Sequence, residues 1–143
     1  MSDIEWSEVV VPQGTFVGWG KVGQTIIGRT VAYGDEDGRD YDGEPCPQIV
    51  VELVEQAHTF RSKDQSWETI EAGELATITG GQASLARALR AASPEPGRMV
   101  RIVYAEDYKT SKGSPGKGFR IDLGPRQAPA PPVADDPFTT DPF

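Results

Sequence analysis

Hydrophobic and polar residues alternate with a period of two along most of the chain, which indicates half-buried β-strands. Residues 14–35 are rich in Thr, Val, Ile and aromatic residues, but glycines interrupt them, among them Gly14, Gly18, Gly20, Gly23 and Gly28. Because glycine inside a strand often marks a bulge or a bend, this segment predicts one long, kinked first strand. A very polar turn at residues 35–47 precedes the second strand, residues 48–56, in which Ile49, Val51 and Leu53 share a face.

The period changes once, in the middle of the chain. A polar loop at residues 58–66 leads to a third strand region around residues 67–79, and a helical pattern begins at Gly80. Pro94 ends this helix of about three turns. Its apolar stripe consists of Ala83, Leu85, Ala86, Leu89 and Ala92, with Arg87 and Arg90 outside it. Alternation then returns at residues 98–107, where Val100, Ile102 and Tyr104 share a face, and at residues 118–124.

Five strands with one helix between the third and the fourth predict an all-β domain with one helix. This is the arrangement of the OB-fold, a five-stranded Greek-key barrel. Ligands of that fold lie across strands 2 and 3, between the loops that join strands 1 and 2 and strands 4 and 5. These loops are residues 34–47 and 107–117 here. The predicted domain covers residues 14–125, after an N-terminal extension of residues 1–13 in which Trp6 and Val9–Val11 offer a short edge strand.

Residues 126–143 predict a disordered, acidic, proline-rich tail. From Gln127 onward there are five prolines and no Lys or Arg, so the segment buries too little to offset the entropy of ordering it. The sequence Asp-Pro-Phe occurs twice, which suits a partner pocket with a slot for Phe and a basic rim. A solubilising tail is the alternative, but it does not explain the repeated Phe. The predicted partner-binding residues are Asp135, Asp136, Pro137, Phe138, Asp141, Pro142 and Phe143.

Charge is unevenly distributed along the chain, so the net charge of −8 does not by itself exclude a nucleic-acid ligand. A protein of that charge repels phosphate as a whole. Residues 98–126, however, carry a net +4, whereas residues 1–97 carry −9 and the tail −3. Cations interleaved with aromatic rings are typical of proteins that bind single-stranded nucleic acid. The alternative is a solvated lysine loop above core aromatics, and Phe119, in phase with Ile121 and Leu123, is expected in the core.

The candidate DNA-binding residues are aromatic side chains for stacking and Lys or Arg side chains for phosphate. The glycines beside Trp19 are expected to leave its ring uncovered. The full set is Trp19, Lys21, Arg29, Phe60, Arg61, Lys63, Trp67, Arg101, Tyr104, Tyr108, Lys109, Lys112, Lys117 and Arg120.

Several other classes of protein do not fit the sequence. The sequence contains one cysteine, Cys46, and one histidine, His58, so neither a disulfide scaffold nor a zinc module is expected. The loop that begins at Asp35 starts like a calcium loop, but Arg39 and Cys46 stand at ligand positions, and a flexible hairpin is the preferred interpretation. We expect no catalytic residues, no cofactor and no metal. The chain has no apolar run long enough for a membrane span and no signal-peptide pattern, so a cytoplasmic location is expected.

Several motifs together resemble one family. They are the bent glycine-rich first strand, D-Y-D-G-x-P-C-P-Q at residues 40–48, G-G-Q-A-S-L-x-R at 80–87, K-T-x-K-G-x-x-G-K-x-F at 109–119, and the acidic tail that ends in D-P-F. The chain resembles the OB-fold single-stranded DNA-binding proteins of actinobacterial bacteriophages. Its tail resembles that of the bacterial single-stranded DNA-binding protein.

The resemblance implies a non-enzymatic protein that coats and protects single-stranded DNA in phage DNA replication, recombination and repair. It also implies recruitment of replication and recombination enzymes by the C-terminal tip, in the cytoplasm of the infected bacterium. Homo-oligomer formation and the choice between DNA and RNA stay open. The rival hypothesis is an OB-fold scaffold that serves a replisome or virion through protein contacts alone.

Overall fold

A computed structural model describes residues 13–109, 113 and 115–126, so the predicted edge strand at residues 6–11 and the tail lie outside the described residues. The described residues form eight strands and one helix. They are β1 (Thr15–Phe16), β2 (Thr25–Arg39), β3 (Pro45–Leu53), β4 (Ala57–Arg61), β5 (Ser66–Ile70), β6 (Leu75–Thr79), α1 (Ala83–Ala92), β7 (Arg98–Lys109) and β8 (Pro115–Arg126). Within these ranges, no helix is both long enough and apolar enough to cross a membrane.

Six strands form one mixed sheet in the order β1-β6-β3-β2-β7-β8, and β4 pairs with β5 in a separate two-stranded sheet. Only the β1/β6 pair is parallel. The prediction of an all-β domain with one helix is confirmed. The predicted strand count is wrong: eight strands form instead of five, and among the described residues the six-stranded sheet is open rather than closed into a barrel.

The predicted long first strand is divided into β1 and β2 by residues 17–24, here called the crossing segment. Its backbone bonds to three strands in turn. Val17 N–H donates to the Thr77 carbonyl of β6, Phe60 N–H of β4 donates to the Gly18 carbonyl, and Gly23 N–H donates to the Tyr104 carbonyl of β7. The crossing segment therefore obtains its hydrogen bonds outside a regular ladder, and strand structure resumes only at β2.

The predicted loop at residues 58–66 is mostly a hairpin of β4 and β5, in which Phe60 lies opposite Trp67. Ala57, Thr59 and Ile70 are buried, while the alternate positions are more exposed. The Thr59 hydroxyl is a hydrogen-bond partner for two backbone groups: it accepts from Gly18 N–H at 2.7 Å and donates to the Phe16 carbonyl at 3.1 Å. Because an inward-facing residue, Thr59, is polar, this segment lacks the alternation of apolar and polar residues that predicts a strand.

The predicted polar turn at residues 35–47 is also shorter than expected. β2 continues to Arg39 and β3 begins at Pro45, which leaves only residues 40–44 as the turn. Gly43 has a φ of +80°, in the left-handed region where glycine is unstrained. Charged residues therefore occupy a β-ribbon rather than a loop.

Helix α1 matches its prediction closely. Leu85 and Leu89 are fully buried, and Arg87 and Arg90 are exposed. The helix ends at Ser93, whose left-handed conformation lets its N–H donate to the Leu89 carbonyl, and Pro94 follows. Near its start, the Ser84 hydroxyl accepts from Phe119 N–H of β8 at 3.0 Å. The helix thus covers part of the strand at the edge of the sheet.

Alternating side chains of β7 and β8 supply much of the core. Val100, Ile102 and Tyr104 are buried together, which agrees with the prediction that they share one face of the strand. Phe119 and Ile121 pack against that cluster, but Leu123 is exposed, so the prediction for β8 holds only in part. Trp19 completes this core from the crossing segment: it is 7% exposed, and its ring meets Phe119 edge-on at 5.0 Å between centroids.

We expect Trp19→Ala to lower the free energy of unfolding by about 3–5 kcal/mol, because it leaves a large cavity in the core. The matched control is Trp67→Ala. Trp67 is 47% exposed and contacts Phe60, so its loss should cost only about 0.5–1.5 kcal/mol. Urea unfolding followed by far-ultraviolet circular dichroism measures both. Equal costs for the two substitutions would contradict the burial of Trp19.

Candidate nucleic-acid interface

A groove of about 420 Å³ lies where the crossing segment, the β4–β5 hairpin, the tip of the β2–β3 hairpin and the start of α1 approach one another. Phe16, Val17, Trp19 and Phe60 supply its apolar surface. The other lining residues are Gly18, Arg39, Asp40, Tyr41, Ser62, Thr79, Gly81, Gln82 and Lys117. The groove thus combines aromatic rings with cations, a combination that suits a flat, negatively charged ligand.

Glycines position the aromatic side of the groove. The Phe60 ring lies directly over Gly20, where a Cβ would come within 2.4 Å of the ring. The same ring contacts Trp67 at 5.0 Å between centroids. Phe16, on the short strand β1, remains 57% exposed. The phenyl rings of Phe16 and Phe60 therefore both border the groove, and the Phe60 ring packs against Gly20 and Trp67.

Arg39 and Lys117 supply the positive charge of the groove. The Arg39 guanidinium donates to the Gly38 carbonyl at 3.1 Å, and Lys117 Nζ lies 5.7 Å from the centroid of the Tyr104 ring. Within the described residues, neither cation belongs to a salt bridge. The nearby Asp40 carboxylate is engaged by its own turn, since it accepts from Asp42 N–H and Glu44 N–H at 2.9 Å each. Both cations can therefore meet an anionic ligand.

Two of the predicted stacking residues are buried instead. Trp19 was expected to be uncovered. Its glycine neighbours instead allow another strand to come close to the backbone, since a Cβ on Gly18 would lie 2.1 Å from the Phe60 carbonyl oxygen. Its indole turns into the core and only borders the groove. Tyr104 stacks on Phe119 at 5.4 Å, and its hydroxyl donates to Asp107. The prediction that these two rings are open to bases is wrong.

Four predicted phosphate contacts are already engaged with carboxylates, and none of them lines the groove. Arg29 pairs with Glu52, and Arg61 pairs with Glu68. Arg101 and Arg120 share Asp122, and the hydrogen bond from Arg101 is the main reason that the pKa of Asp122 is lowered. Arg29, Arg61 and Arg101 each pair with a carboxylate of the neighbouring strand, whereas Arg120 pairs within its own strand, and residue type alone does not reveal these pairings.

The remaining predicted residues are exposed but lie beside the groove or apart from it. Trp67 extends the aromatic surface from Phe60, whereas Lys21 and Lys63 are exposed without lining the groove. Tyr108 and Lys109 border a smaller concavity near the end of the β7–β8 hairpin. Lys112 and the residues of the tail tip, Asp135 to Phe143, lie outside the described residues.

Phe16, Arg39 and Tyr41 line the groove but are not among the residues predicted from the sequence. Arg39 and Tyr41 stand in the segment of residues 34–47, which was predicted to flank the ligand, so that expectation already contained the information needed to find them. Phe16 has no such signal, because its place depends on the parallel pairing of β1 with β6.

Comparisons of the chain with protein-family models, with curated proteins and with solved structures found no match. In the part of the chain that the structure describes, there is no group of three or more His, Cys, Asp or Glu side chains placed to hold a metal ion.

The environment of Tyr104 predicts a specific pH dependence of stability. Burial and the hydrogen bond to Asp107 raise the pKa of Tyr104 to about 12 from its ordinary value of 10.0. A group whose pKa is raised by folding stabilises the protein below its unfolded pKa, and this contribution is lost as pH rises through the folded pKa. The Tyr104 contribution should therefore disappear between about pH 10 and 12.

Urea unfolding at a series of pH values from about 9 to 12 tests this expectation. Tyr104→Phe should lose less stability across the series than the unmodified protein. Tyr33, whose pKa is raised by burial and by Asp35, is present in both proteins and does not contribute to the difference. Parallel curves for the two proteins would contradict the assignment.

Proposed function

We propose that this protein binds single-stranded DNA in the groove, without catalysis and with little sequence preference. The observation that carries the proposal is the convergence of Phe16, Phe60 and Tyr41 with Arg39 and Lys117 along one groove. Aromatic faces stack on any base, and cations attract the phosphate backbone, so this combination binds single strands irrespective of sequence.

The topology supports an OB-fold as the framework of the proposal. If β2, β3, β6, β7 and β8 are taken as the five strands of that fold, α1 lies between the third and the fourth of them. The β4–β5 hairpin is then an insertion before the third strand. The groove reaches the β2–β3 turn and Lys117 of the last strand, as expected for a fold whose ligands lie near those connections.

The motifs of the sequence support a role in phage DNA replication, recombination and repair, in which the protein coats and protects single strands. The acidic tip that contains the repeated Asp-Pro-Phe would recruit partner enzymes while the domain holds the DNA. The cytoplasm of the infected host is the corresponding location.

A protein-interaction scaffold is the second candidate. It is favoured by the ion pairs of Arg29, Arg61, Arg101 and Arg120, which engage much of the positive charge with carboxylates. Under this hypothesis the cations of the groove have no role in DNA binding, and their replacement leaves function unchanged.

Fluorescence anisotropy with a labelled oligo-dT distinguishes the two candidates. We expect binding at low salt, and affinity that falls linearly on a log–log plot against salt with a slope of about −0.7 per phosphate contact. Counterion release from the contacted phosphates is the cause. Absence of binding at low salt would contradict the DNA-binding proposal and favour the scaffold.

A pair of substitutions on β8 tests whether the groove is the site. Lys117→Gln should weaken oligo-dT binding and reduce the magnitude of the salt slope by about 0.7, because one phosphate contact is lost. Arg120→Gln is the matched control: it removes one positive charge from the same strand, but from a side chain that pairs with Asp122. Equal effects of the two substitutions would indicate a general charge effect and place the site elsewhere.

A further inference from the structure

Tyr41 is the most exposed large hydrophobic side chain of the described residues, at 97%, and it stands at the mouth of the groove. It belongs to the end of the β2–β3 hairpin, residues 34–46, here called the acidic arm. We infer that Tyr41 stacks on a base of the bound strand and that the acidic arm orients this strand, with its bases towards the arm and its phosphates towards Lys117. The inference rests on the proposed function.

The acidic arm is a ribbon without further strand neighbours among the described residues. β2 pairs with β7 only over Thr25–Arg29, and β3 pairs with β6 only over Gln48–Glu52. Residues 34–46 of the two strands therefore have only each other as ladder partners. One face of the arm is partly covered, because Gly38 and Cys46 are buried and a Cβ on Gly38 would lie 2.9 Å from Thr79 Cγ2, whereas Asp35–Asp37 and Tyr41 are exposed.

Hydrogen bonds that converge on Asp40 fix the tip. Its N–H donates to the Glu44 carbonyl, and its carbonyl accepts from Gly43 N–H, both at 3.0 Å. Its carboxylate accepts two further backbone N–H groups of the turn. Tyr41 is thus presented by a well-bonded turn, so little conformational entropy is lost when the ring meets a ligand.

The Tyr41 ring exposes apolar surface to water, and it lies beside a groove that already contains Phe16 and Phe60. A planar ligand between these rings would cover apolar surface on both sides. A nucleobase is such a ligand, and stacking on an aromatic ring requires no particular base. Tyr41 is therefore assigned to the base and not to the phosphate.

The charges around Tyr41 determine which side of the ligand faces it. Residues 35–44 contain six acidic side chains and one arginine, and Asp35, Glu36 and Asp37 are exposed. Their field repels phosphate within a Debye length of about 10 Å at moderate salt. Arg39 offsets only one of these six negative charges, so the phosphates are assigned to Lys117, which reaches the groove from β8. A single strand can turn its phosphates away from the arm, but a duplex carries phosphates on both sides of its bases, so the arm should also disfavour duplex.

Two oligonucleotides of equal length, oligo-dT and an abasic strand, separate base contacts from phosphate contacts. Tyr41→Ala should weaken oligo-dT binding roughly 5- to 150-fold, as expected for the loss of one stacked base, and leave the abasic strand unaffected. Tyr41→Phe keeps the ring and should keep the affinity. Lys117→Gln should weaken binding of both strands.

The outcomes distinguish this inference from the proposal on which it rests. If the unmodified protein fails to bind oligo-dT, the proposed function is wrong, and the inference with it. If the unmodified protein binds oligo-dT but Tyr41→Ala binds it equally well, or loses affinity equally for the abasic strand, only the assignment of Tyr41 is overturned.

The orienting role of the arm has its own test. Asp35→Asn, Glu36→Gln and Asp37→Asn, combined, should raise the ratio of duplex to oligo-dT affinity roughly tenfold or more at low salt. The control combines Glu55→Gln, Glu71→Gln and Glu74→Gln, which changes the net charge equally at residues outside the acidic arm. Equal changes of the ratio in the two triple variants would show that only net charge matters and would overturn the orienting role.

Discussion

The hydrogen bonds of residues 17–24 hold the structure together, because this segment passes from β6 by way of β4 to β7 and bonds to each. Its backbone polar groups are further satisfied by side chains: Gln24 accepts from Gly20 N–H and donates to the carbonyls of Gly18 and His58. Backbone buried without such partners would cost about 1–3 kcal/mol for each group. The bonds also place Trp19 in the core and Phe60 over Gly20.

The groove is a consequence of this crossing. The segment attaches the β4–β5 hairpin to the main sheet, so one wall of the groove depends on the bonds of Gly18 to Thr59 and Phe60. The β2–β3 turn and Lys117 supply further parts of its lining. A site built in this way joins residues that are far apart in sequence, and its stacking surface depends on glycines that carry no chemistry themselves.

Regular periodicity explains what could be predicted from the sequence. The stripe of Leu85 and Leu89 and the alternation of Val100 and Ile102 record burial directly, so α1 and β7 follow from the pattern. β4 was missed because its inward Thr59 is polar, whereas β5 falls in the predicted third strand region. Trp19 was misjudged because glycine permits either an uncovered ring or a close backbone contact. Ion pairs such as Arg101 with Asp122 depend on strand register, which the alternation of β7 and β8 does not specify.

The net charge of −8 is compatible with an anionic ligand because the charges are separated in space. Four arginines pair locally with three carboxylates, those of Glu52, Glu68 and Asp122. Much of the remaining negative charge lies on the ribbon of residues 34–46, while Lys117 stands on the strand at the far edge of the sheet. Repulsion on one side and attraction on the other do not cancel for a ligand that can turn. Together, the repulsion and the attraction set the orientation of the ligand. A single strand can turn its bases towards the ribbon and its phosphates towards Lys117, whereas a duplex carries phosphates on both sides of its bases.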